Sequence, residues 1–552
     1  LCAKANSRTF RLMSADTTQP QDAPTHWGGI LKHLGPGLII TACIVGSGEL
    51  IATPVVGAKN GFTLLWFIIL GCIVKVFVQV ELGRAAMIQG KTTLELMDSV
   101  PGPRFIVSWL IWCFVLMFIS IFFQLGGIVG GVGQVFAQGG VSFDDRPLGV
   151  VVAAVVIINW ACTRFGVFTK ASTPWLVAGA VLFAYLFAPA EWFTSAKSVA
   201  LIVASLTVAI LASGQYKHVE RFSVVMVVFF VFSTMYALYA LQTASGEAAK
   251  YAITSAQIME GLKFKLPSDL SVAFGAFGMI GVGASELIYY PYWCLEKGYS
   301  RYVGPREDSP GWRARAKGWL RIMRVDSWVS MVIYTSATIV FYLLGAALLH
   351  ERGKGVSNKT MIGDLSEMFT SIGSAGLTIF LAGAFVVLFS TLTSASASNA
   401  RLLADTLVLL KLKASPKDET ARRRFVSQCC VFIPCACAVL FLFLGEPVTM
   451  VFIGGVAQAF MLVPLSGAAL YFRYCKTEKE LQPGALWTIL LWLSALAMAT
   501  VGLYMAQSKI LEQFSPKPPI EKTSALDAEP FGKPVLYCQI PSPRWERPRS
   551  ER

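Results

Sequence analysis

Charged residues are scarce in this chain. Asp, Glu, Lys and Arg make up 14% of its 552 residues, and 55% of the residues are hydrophobic. A soluble domain carries about 25% charged residues. A single water-soluble core cannot bury this much apolar surface, so the composition excludes an ordinary soluble protein and favours one that spans a lipid bilayer.

The chain also lacks the short segments of alternating polar and apolar residues, about 10 residues long, that are typical of an outer-membrane barrel. Its apolar residues instead form runs of about 17 to 25, the length with which a helix crosses roughly 30 Å of hydrocarbon. The predicted fold class is therefore an all-α polytopic membrane protein. We expect the protein to be located in the cell membrane, and the lipid bilayer is one of its expected partners.

No basic face with interleaved aromatic residues accompanies the net charge of +14, because the Lys and Arg residues lie between the apolar runs. This pattern excludes nucleic acid as a partner and indicates positive-inside topology. The twelve cysteines are scattered and predict no disulfide framework. Cys429, Cys430, Cys435 and Cys437 fall in one apolar run, where they act as small packing residues or, alternatively, form a metal cluster.

Both ends of the chain lack apolar runs. Residues 1–33 form a polar N-terminal tail without the apolar core of a signal peptide, and Met13 is a plausible start. Residues 507–552 are rich in Pro, Lys and Arg and are expected to be a disordered tail. Residues 34–506 are the predicted transmembrane domain.

Thirteen membrane spans are predicted within this domain. The loops 296–324 and 400–424 are rich in Lys and Arg and are therefore expected on the cytoplasmic side, with the N-terminus. The spans cover residues 34–58, 62–88, 104–137, 147–163, 173–194, 197–213, 219–243, 268–295, 323–349, 372–399, 425–445, 447–472 and 484–506.

Two of these spans share a motif. Val45 is followed by GSGELIATP at 46–54, and Val282 is followed by GASELIYYP at 283–291. Val, Gly, Glu, Leu, Ile and Pro recur in register, which indicates internal duplication. Small residues and a proline weaken a helix, and paired interrupted helices in corresponding halves mark the substrate site of a transporter.

Each motif places a glutamate at membrane depth, where a carboxylate costs at least about 2.5 kcal/mol. If Glu49 and Glu286 converge, their like charges require a multivalent cation. Oxygen ligands from carboxylates, freed carbonyls and water suit a hard ion such as Mg²⁺, Mn²⁺ or Ca²⁺. The alternative is that the glutamates are protonated or pair separately with Lys59, Lys75 or Lys297. The predicted metal-site residues are Glu49, Glu286, Gly46, Ser47, Gly283, Ser285 and Gln458.

With these residues the chain resembles the Nramp family of divalent-metal transporters, which have the LeuT-like fold. The resemblance begins at Gly35, Pro36 and Gly37 and includes GFTLLW at 61–66, GKTTLE at 90–95, GQYKHVERF at 214–222 and the segment around Gln458. It implies two inverted repeats of five helices plus additional helices, about 11 to 13 spans in all. It also implies alternating access, in which a helix bundle containing both breaks moves.

Departures from the family pattern change the expected chemistry. Where the family has Asp-Pro-Gly-Asn, this chain has GSGE at 46–49, and the family's Met-Pro-His falls on 285–287, Ser-Glu-Leu. Loss of the thioether argues against softer metals. Loss of the histidine, and of acidic residues between 105 and 137, argues against a proton relay. The pattern is similar to the divergent Nramp-related magnesium-transporter branch.

We therefore predict a transporter, not an enzyme, that moves Mg²⁺ or Mn²⁺ with little or no proton coupling. The metal is its substrate, no cofactor is expected, and the chain is expected to act as a monomer. Two alternatives stay open. One is a carrier of organic cations, polyamines or amino acids, with Tyr289, Tyr290, Tyr292 and Trp293 as a cage or, by the favoured interpretation, an interfacial belt. The other is a metal-sensing receptor.

Overall fold

The computed structural model describes residues 20–140, 147–168, 195–213, 215–243, 246–267, 270–353, 356–358, 360–366, 369 and 376–514. Within these ranges the chain is almost entirely helical. The α-helices are α1 (Trp27–His33), α2 (Pro36–Ile44), α3 (Thr53–Asn60), α4 (Leu65–Gln89), α5 (Thr93–Asp98), α6 (Trp109–Gln138), α7 (Pro147–Arg164), α8 (Ser195–Leu211), α9 (Tyr216–Gln242), α10 (Ser255–Gly261), α11 (Ser271–Phe277), α12 (Ala284–Lys297), α13 (Tyr299–Val303), α14 (Pro310–Leu344), α15 (Met361–Ser366), α16 (Gly376–Leu409), α17 (Glu419–Leu444), α18 (Pro447–Tyr471) and α19 (Ala485–Phe514).

Short segments of other geometry interrupt these helices. Two antiparallel strands of two residues each precede α6, β1 (Arg104–Phe105) and β2 (Val107–Ser108). The remaining segments are the π-helical turns Ser47–Ala52, Gly345–His350 and Phe472–Lys476 and the 3₁₀ turns Gly246–Tyr251 and Lys479–Leu481.

The all-α membrane architecture is confirmed. Among the described residues, nine helices are long and apolar enough to cross a membrane, and Gly149–Arg164 and Ala196–Leu211 are two shorter apolar helices. The predicted span 268–295 is absent from the nine because it is broken into α11 and α12. The predicted span 173–194 lies outside the described residues.

Several helices are longer than their predicted spans. α14 begins at Pro310, α16 continues to Leu409 and α17 begins at Glu419, so parts of the two basic loops are helical. Hydropathy marks only the part of a helix that lies in hydrocarbon, whereas the backbone hydrogen bonds continue into water. For the same reason α19 runs to Phe514, into the predicted C-terminal tail. The separate helix α1 lies within the predicted N-terminal tail.

The start of α2 is fixed to α14 by a buried carboxylate. Asp326 accepts the backbone N–H of Gly35 at 3.0 Å through one oxygen and that of Gly37 at 2.6 Å through the other. The Tyr290 hydroxyl donates to the same carboxylate at 3.0 Å. A helix N-terminus carries unpaired N–H donors and a partial positive charge, which a carboxylate satisfies. This contact sets the position of the first interrupted helix.

The cysteine-rich span is α17, and its cysteines are free thiols. Cys429, Cys430 and Cys437 are buried among apolar neighbours. Among the described residues, no group of three or more His, Cys, Asp or Glu side chains is arranged to hold a metal ion. In that part of the chain the alternative of a cysteine metal cluster is therefore wrong, and these thiols act as packing residues.

Candidate functional site

The first helix break lies at Val45 and Gly46, between α2 and the π-helical turn Ser47–Ala52. Thr391 of α16 donates its hydroxyl to the freed carbonyls of Ala42 and Val45, each at 2.9 Å. A side chain at Gly46 would collide with the Thr391 hydroxyl. The break therefore requires glycine at this position. Pro54 lies in the first turn of α3, directly after the π-helical turn.

The second break covers residues 278–283, between α11 and α12. Gly281 has a positive φ of 64°, a conformation that side-chain-bearing residues rarely adopt. Pro291 lies inside α12, well beyond the break. The glycines therefore break this helix, as predicted, whereas the expectation that the proline contributes to the break was wrong for this span.

Lys75 of α4 donates hydrogen bonds to backbone carbonyls at the second break. Its ammonium donates to the carbonyl of Phe277 and, at 2.7 Å, to that of Ile280. The whole side chain is buried. A helix that stops inside a membrane leaves carbonyls that lipid cannot satisfy, and here a charged donor supplies the hydrogen bonds.

Glu49 reaches from the first break to the second. One carboxylate oxygen accepts the N–H of Gly281 at 3.2 Å and the hydroxyl of Thr338 of α14 at 3.1 Å. The other oxygen is buried and has no hydrogen-bond partner. The buried Tyr334 hydroxyl also lacks a partner, and its ring would lie 3.4 Å from a Cβ at Gly281. Two buried oxygen atoms therefore have no protein partner, and the Tyr334 ring lies near Gly281 in the second break.

Glu286 lies in the first turn of α12, where the positive end of the helix favours a carboxylate. One oxygen accepts the hydroxyl of Ser285 at 2.8 Å, and the other accepts that of Tyr289 at 2.9 Å. The Gln458 side-chain oxygen accepts the N–H of Ser285 at 3.1 Å, and its amide donates to Gln124 of α6 at 2.7 Å. This network fixes the carboxylate and orients the Gln458 oxygen toward α12.

The two breaks touch each other. A Cβ at Gly48 would lie 2.7 Å from the carbonyl oxygen of Met279. A Cβ at Gly283 would collide with an oxygen of Glu286 and with the side-chain oxygen of Gln458. Glu49 accepts the N–H of Gly281, which lies in the same break as Gly283. Both glutamates and Gln458 therefore lie against the second break. The side chain of Ser47, also a predicted site residue, lies outside the described part of the structure.

Gly283→Ala is expected to reduce transport by at least about tenfold, because the new methyl group would displace the oxygens of Glu286 and Gln458. The matched control is Gly467→Ala in α18, where an added Cβ meets nothing within 4 Å. Uptake by the two variants, reconstituted at equal amounts, checks this prediction. Equal uptake by both would show that the contact at Gly283 has no role in transport.

The alternative prediction was that the two glutamates form ion pairs with Lys59, Lys75 or Lys297. Lys297 pairs with Glu220 at 2.5 Å, and Lys59 lies exposed at the end of α3. Within the described ranges neither Glu49 nor Glu286 forms an ion pair with a lysine, but the charge of Lys75 acts on both carboxylates. Sequence reasoning named Lys75 only as a possible ion-pair partner of the glutamates and did not predict that it bonds the carbonyls of the second break. Its place in the middle of an apolar run was the available signal.

The aromatic stretch that follows Glu286 is buried in the bundle, so the prediction of an interfacial belt was wrong. Tyr289, Tyr290, Tyr292 and Trp293 are each at most 2% exposed. Their polar atoms bond groups inside the protein: Tyr292 donates to Asp405 at 2.7 Å, and Trp293 donates to Ser398 at 3.0 Å. These side chains support the second half of the interrupted helix.

Oxygen atoms dominate the polar groups around the two breaks. Glu49, Glu286, Gln458, Ser285 and Tyr334 supply carboxylate, amide and hydroxyl oxygens, in addition to the backbone carbonyls. One sulfur also lies at the second break, because Sγ of Cys72 would be 3.0 Å from a Cβ at Gly281. The hydrogen bonds that the described residues make to Glu49 and Glu286 come from a backbone N–H and from hydroxyl groups, and none comes from a histidine. Such a donor set suits a hard cation that keeps part of its water shell.

Comparison with known proteins supports this fold. Residues 150–508 match the sequence profile of the natural resistance-associated macrophage protein-like (Nramp) family. A curated relative, metal transporter Nramp6.2 of Populus trichocarpa, is 22% identical over 186 residues. That alignment covers 29% of this chain and 34% of the relative, so it spans about a third of the relative's length.

Solved structures match over nearly the full length. The manganese transporter of Eremococcus coleocola, as a mutant with one histidine replaced by alanine, aligns with a TM-score of 0.56 and 12% identity, covering 91% of this chain and 92% of that one. The same transporter in complex with an aromatic bis-isothiourea compound gives a TM-score of 0.55 at 13% identity, with the same coverage of both chains. At this identity the likeness concerns the fold alone.

Proposed function

The chain belongs to the Nramp family and is a multi-pass membrane protein, and from this we propose that it carries a divalent metal cation across the membrane. The cation binds between the two helix breaks, and alternating movement of the bundle that contains them exposes it to each side in turn. The metal transporters named above, to which this chain is similar, support a metal cation as the class of substrate.

One observation carries the proposal: a buried carboxylate oxygen of Glu49 has no hydrogen-bond partner. A buried anionic oxygen without a partner is costly, and a bound cation or its water removes that cost. The other oxygen of the same carboxylate accepts the N–H of Gly281 in the second break. The proposed ligand set comprises Glu49, Glu286 and Gln458, with Gly46, Ser47, Gly283 and Ser285 supplying backbone or hydroxyl oxygens.

We place Mg²⁺ and Mn²⁺ ahead of softer transition metals because the proposed ligands are oxygen atoms. The Cys72 sulfur near Gly281 is not one of these ligands. The third predicted span is α6. It carries the neutral amide Gln124, whereas a proton relay needs a titratable group. Transport with little or no proton movement follows from these two features. Lys75, which is held by carbonyls, supplies a fixed positive charge instead.

An organic cation or polyamine is the second candidate substrate. The hydroxyl of Tyr289 bonds Glu286, and those of Tyr290 and Tyr292 bond Asp326 and Asp405, so these polar ends are already engaged. An aromatic cage needs rings that face an open volume. The complete burial of this stretch therefore favours the metal ion.

Uptake into proteoliposomes tests the proposal. The full chain is reconstituted, and entry of Mg²⁺, Mn²⁺ and spermidine is measured while a dye reports internal pH. We expect saturable uptake of both metals, little uptake of spermidine and a small pH change. Spermidine uptake without metal uptake would refute the substrate class. Internal acidification in proportion to metal entry would refute the absence of proton coupling.

A further inference from the structure

A cluster of three arginines, two of them buried, lies at the end of the bundle that carries the basic 296–324 loop. Arg84 lies near the end of α4, and Arg473 lies in the π-helical turn after α18. Each is only 3% exposed. Arg324 of α14 is near enough that its charge, like that of Arg473, acts on Arg84. We call Arg84, Arg324, Arg473 and Glu81 the arginine cluster.

Part of the cluster is satisfied within the protein. Arg84 donates to a Glu81 oxygen at 3.2 Å and to the carbonyl of Leu481 at 2.9 Å. Arg473 donates to the carbonyl of Pro483 at 3.0 Å. The other Glu81 oxygen accepts from Trp487 at 2.7 Å and lies 3.7 Å from Nη1 of Arg473. These contacts hold the guanidinium groups in place.

Four buried guanidinium nitrogens have no hydrogen-bond partner. They are Nη2 of Arg84, Nε and Nη1 of Arg473, and Nε of Arg324. The hydroxyl of Thr477, one turn of chain beyond Arg473, is buried without a partner as well. Buried donors on charged groups are normally paired, because leaving them unpaired is costly.

The charges of the cluster do not balance. Arg84 and Arg473 share a single carboxylate, Glu81, and the charges of Arg324 and Arg473 both act unfavourably on Arg84. The nearby acidic residues Glu478 and Glu480 are bound elsewhere, to Arg306 at 2.6 Å and Arg313 at 3.1 Å. The group that would complete the cluster is therefore an anion with several acceptor oxygens.

The segment 477–484 covers the cluster. It supplies the carbonyls of Leu481 and Pro483 to the arginines, and Gln482 donates to the carbonyl of Arg473 at 2.9 Å. Its outer side is held by the ion pairs of Glu478 and Glu480. A short segment between two helices thus contacts the cluster from the side of the basic 296–324 loop.

We propose that the arginine cluster binds a phosphate group, either as a free phosphate anion or as the headgroup of an anionic lipid. A phosphate presents several acceptor oxygens and carries negative charge, which match the unpaired donors and the excess charge. Guanidinium groups bind phosphate through paired, charge-assisted hydrogen bonds. Anionic lipid is abundant at the cytoplasmic surface, the side predicted for the neighbouring 296–324 loop.

Thermal unfolding of the purified full-length protein tests this site. Tm is measured with increasing inorganic phosphate, and separately in mixed micelles of detergent with phosphatidylglycerol or phosphatidylcholine. We expect Tm to rise with phosphate, with phosphatidylglycerol or with both, and not with phosphatidylcholine. In Arg473→Gln the apparent affinity for the stabilising ligand should fall by about tenfold or more, since charge-assisted hydrogen bonds are lost.

The control is Arg164→Gln, which removes an exposed arginine from α7 and should leave the rise in Tm unchanged. Arg473→Lys keeps the charge but not the forked donors, and it serves where the Gln variant fails to fold. A response to phosphate identifies a free anion, and a response to phosphatidylglycerol alone identifies a lipid headgroup. The proposal is overturned if neither ligand stabilises the unmodified protein, or if the Arg473 variants respond as it does.

Discussion

Replacing both Glu49 and Glu286 by Gln is expected to reduce divalent uptake at least about 100-fold. The two carboxylates supply the negative charge that attracts a divalent ion, and an amide supplies only a dipole. Each single variant should lose at least about tenfold. Initial rates of Mn²⁺ and Mg²⁺ entry into proteoliposomes, taken over a range of metal concentrations, measure the effect.

Thermal stability distinguishes a loss of metal binding from misfolding of the variants. An amide oxygen can still accept the N–H of Gly281, and the hydroxyls of Ser285 and Tyr289 can rotate to accept from an amide. The variants should therefore keep the metal-free Tm of the unmodified protein but lose its rise on adding Mn²⁺. Glu260→Gln, at an exposed glutamate of α10, is the matched control. Metal uptake that survives in the double variant would refute the site.

Lys75→Gln is expected to lower the apparent KM for Mn²⁺ by about tenfold and to slow maximal uptake. The ammonium acts on both glutamates, so it weakens their attraction for a metal ion. Removing one unit charge near a partly buried site changes the binding free energy by about 1–4 kcal/mol. A more tightly held ion also leaves more slowly, which is the reason for the lower maximal rate.

The Gln variant is chosen because its amide can still donate to the carbonyls of Phe277 and Ile280. Lys75→Met removes the donor as well, and should lower Tm because two buried carbonyls lose their partner. Lys59→Gln, on the exposed end of α3, controls for the loss of a lysine charge. An unchanged or higher KM in Lys75→Gln would show that Lys75 only supports the break.

Positions of the spans and of both breaks follow from local sequence. Apolar runs predict membrane helices because crossing the hydrocarbon requires a minimum length, and twelve of the thirteen predicted spans coincide with described helices. The repeated motif around Glu49 and Glu286 marks the breaks because glycines and a buried charge weaken a membrane helix wherever they occur. These are properties of neighbouring residues, so the sequence by itself determined them.

The partners of the two glutamates were decided only by the tertiary structure. Gly281 is 232 residues from Glu49, and Gln124 is 334 residues from Gln458, so no local pattern brings them together. The aromatic stretch was predicted to lie at the membrane interface but is buried in the bundle. A tyrosine suits either environment, and its tertiary neighbours determine which one it occupies. Lys75 shows the same limit: the sequence places a charge in an apolar run, but the carbonyls that hold it exist only where α11 ends beside α4.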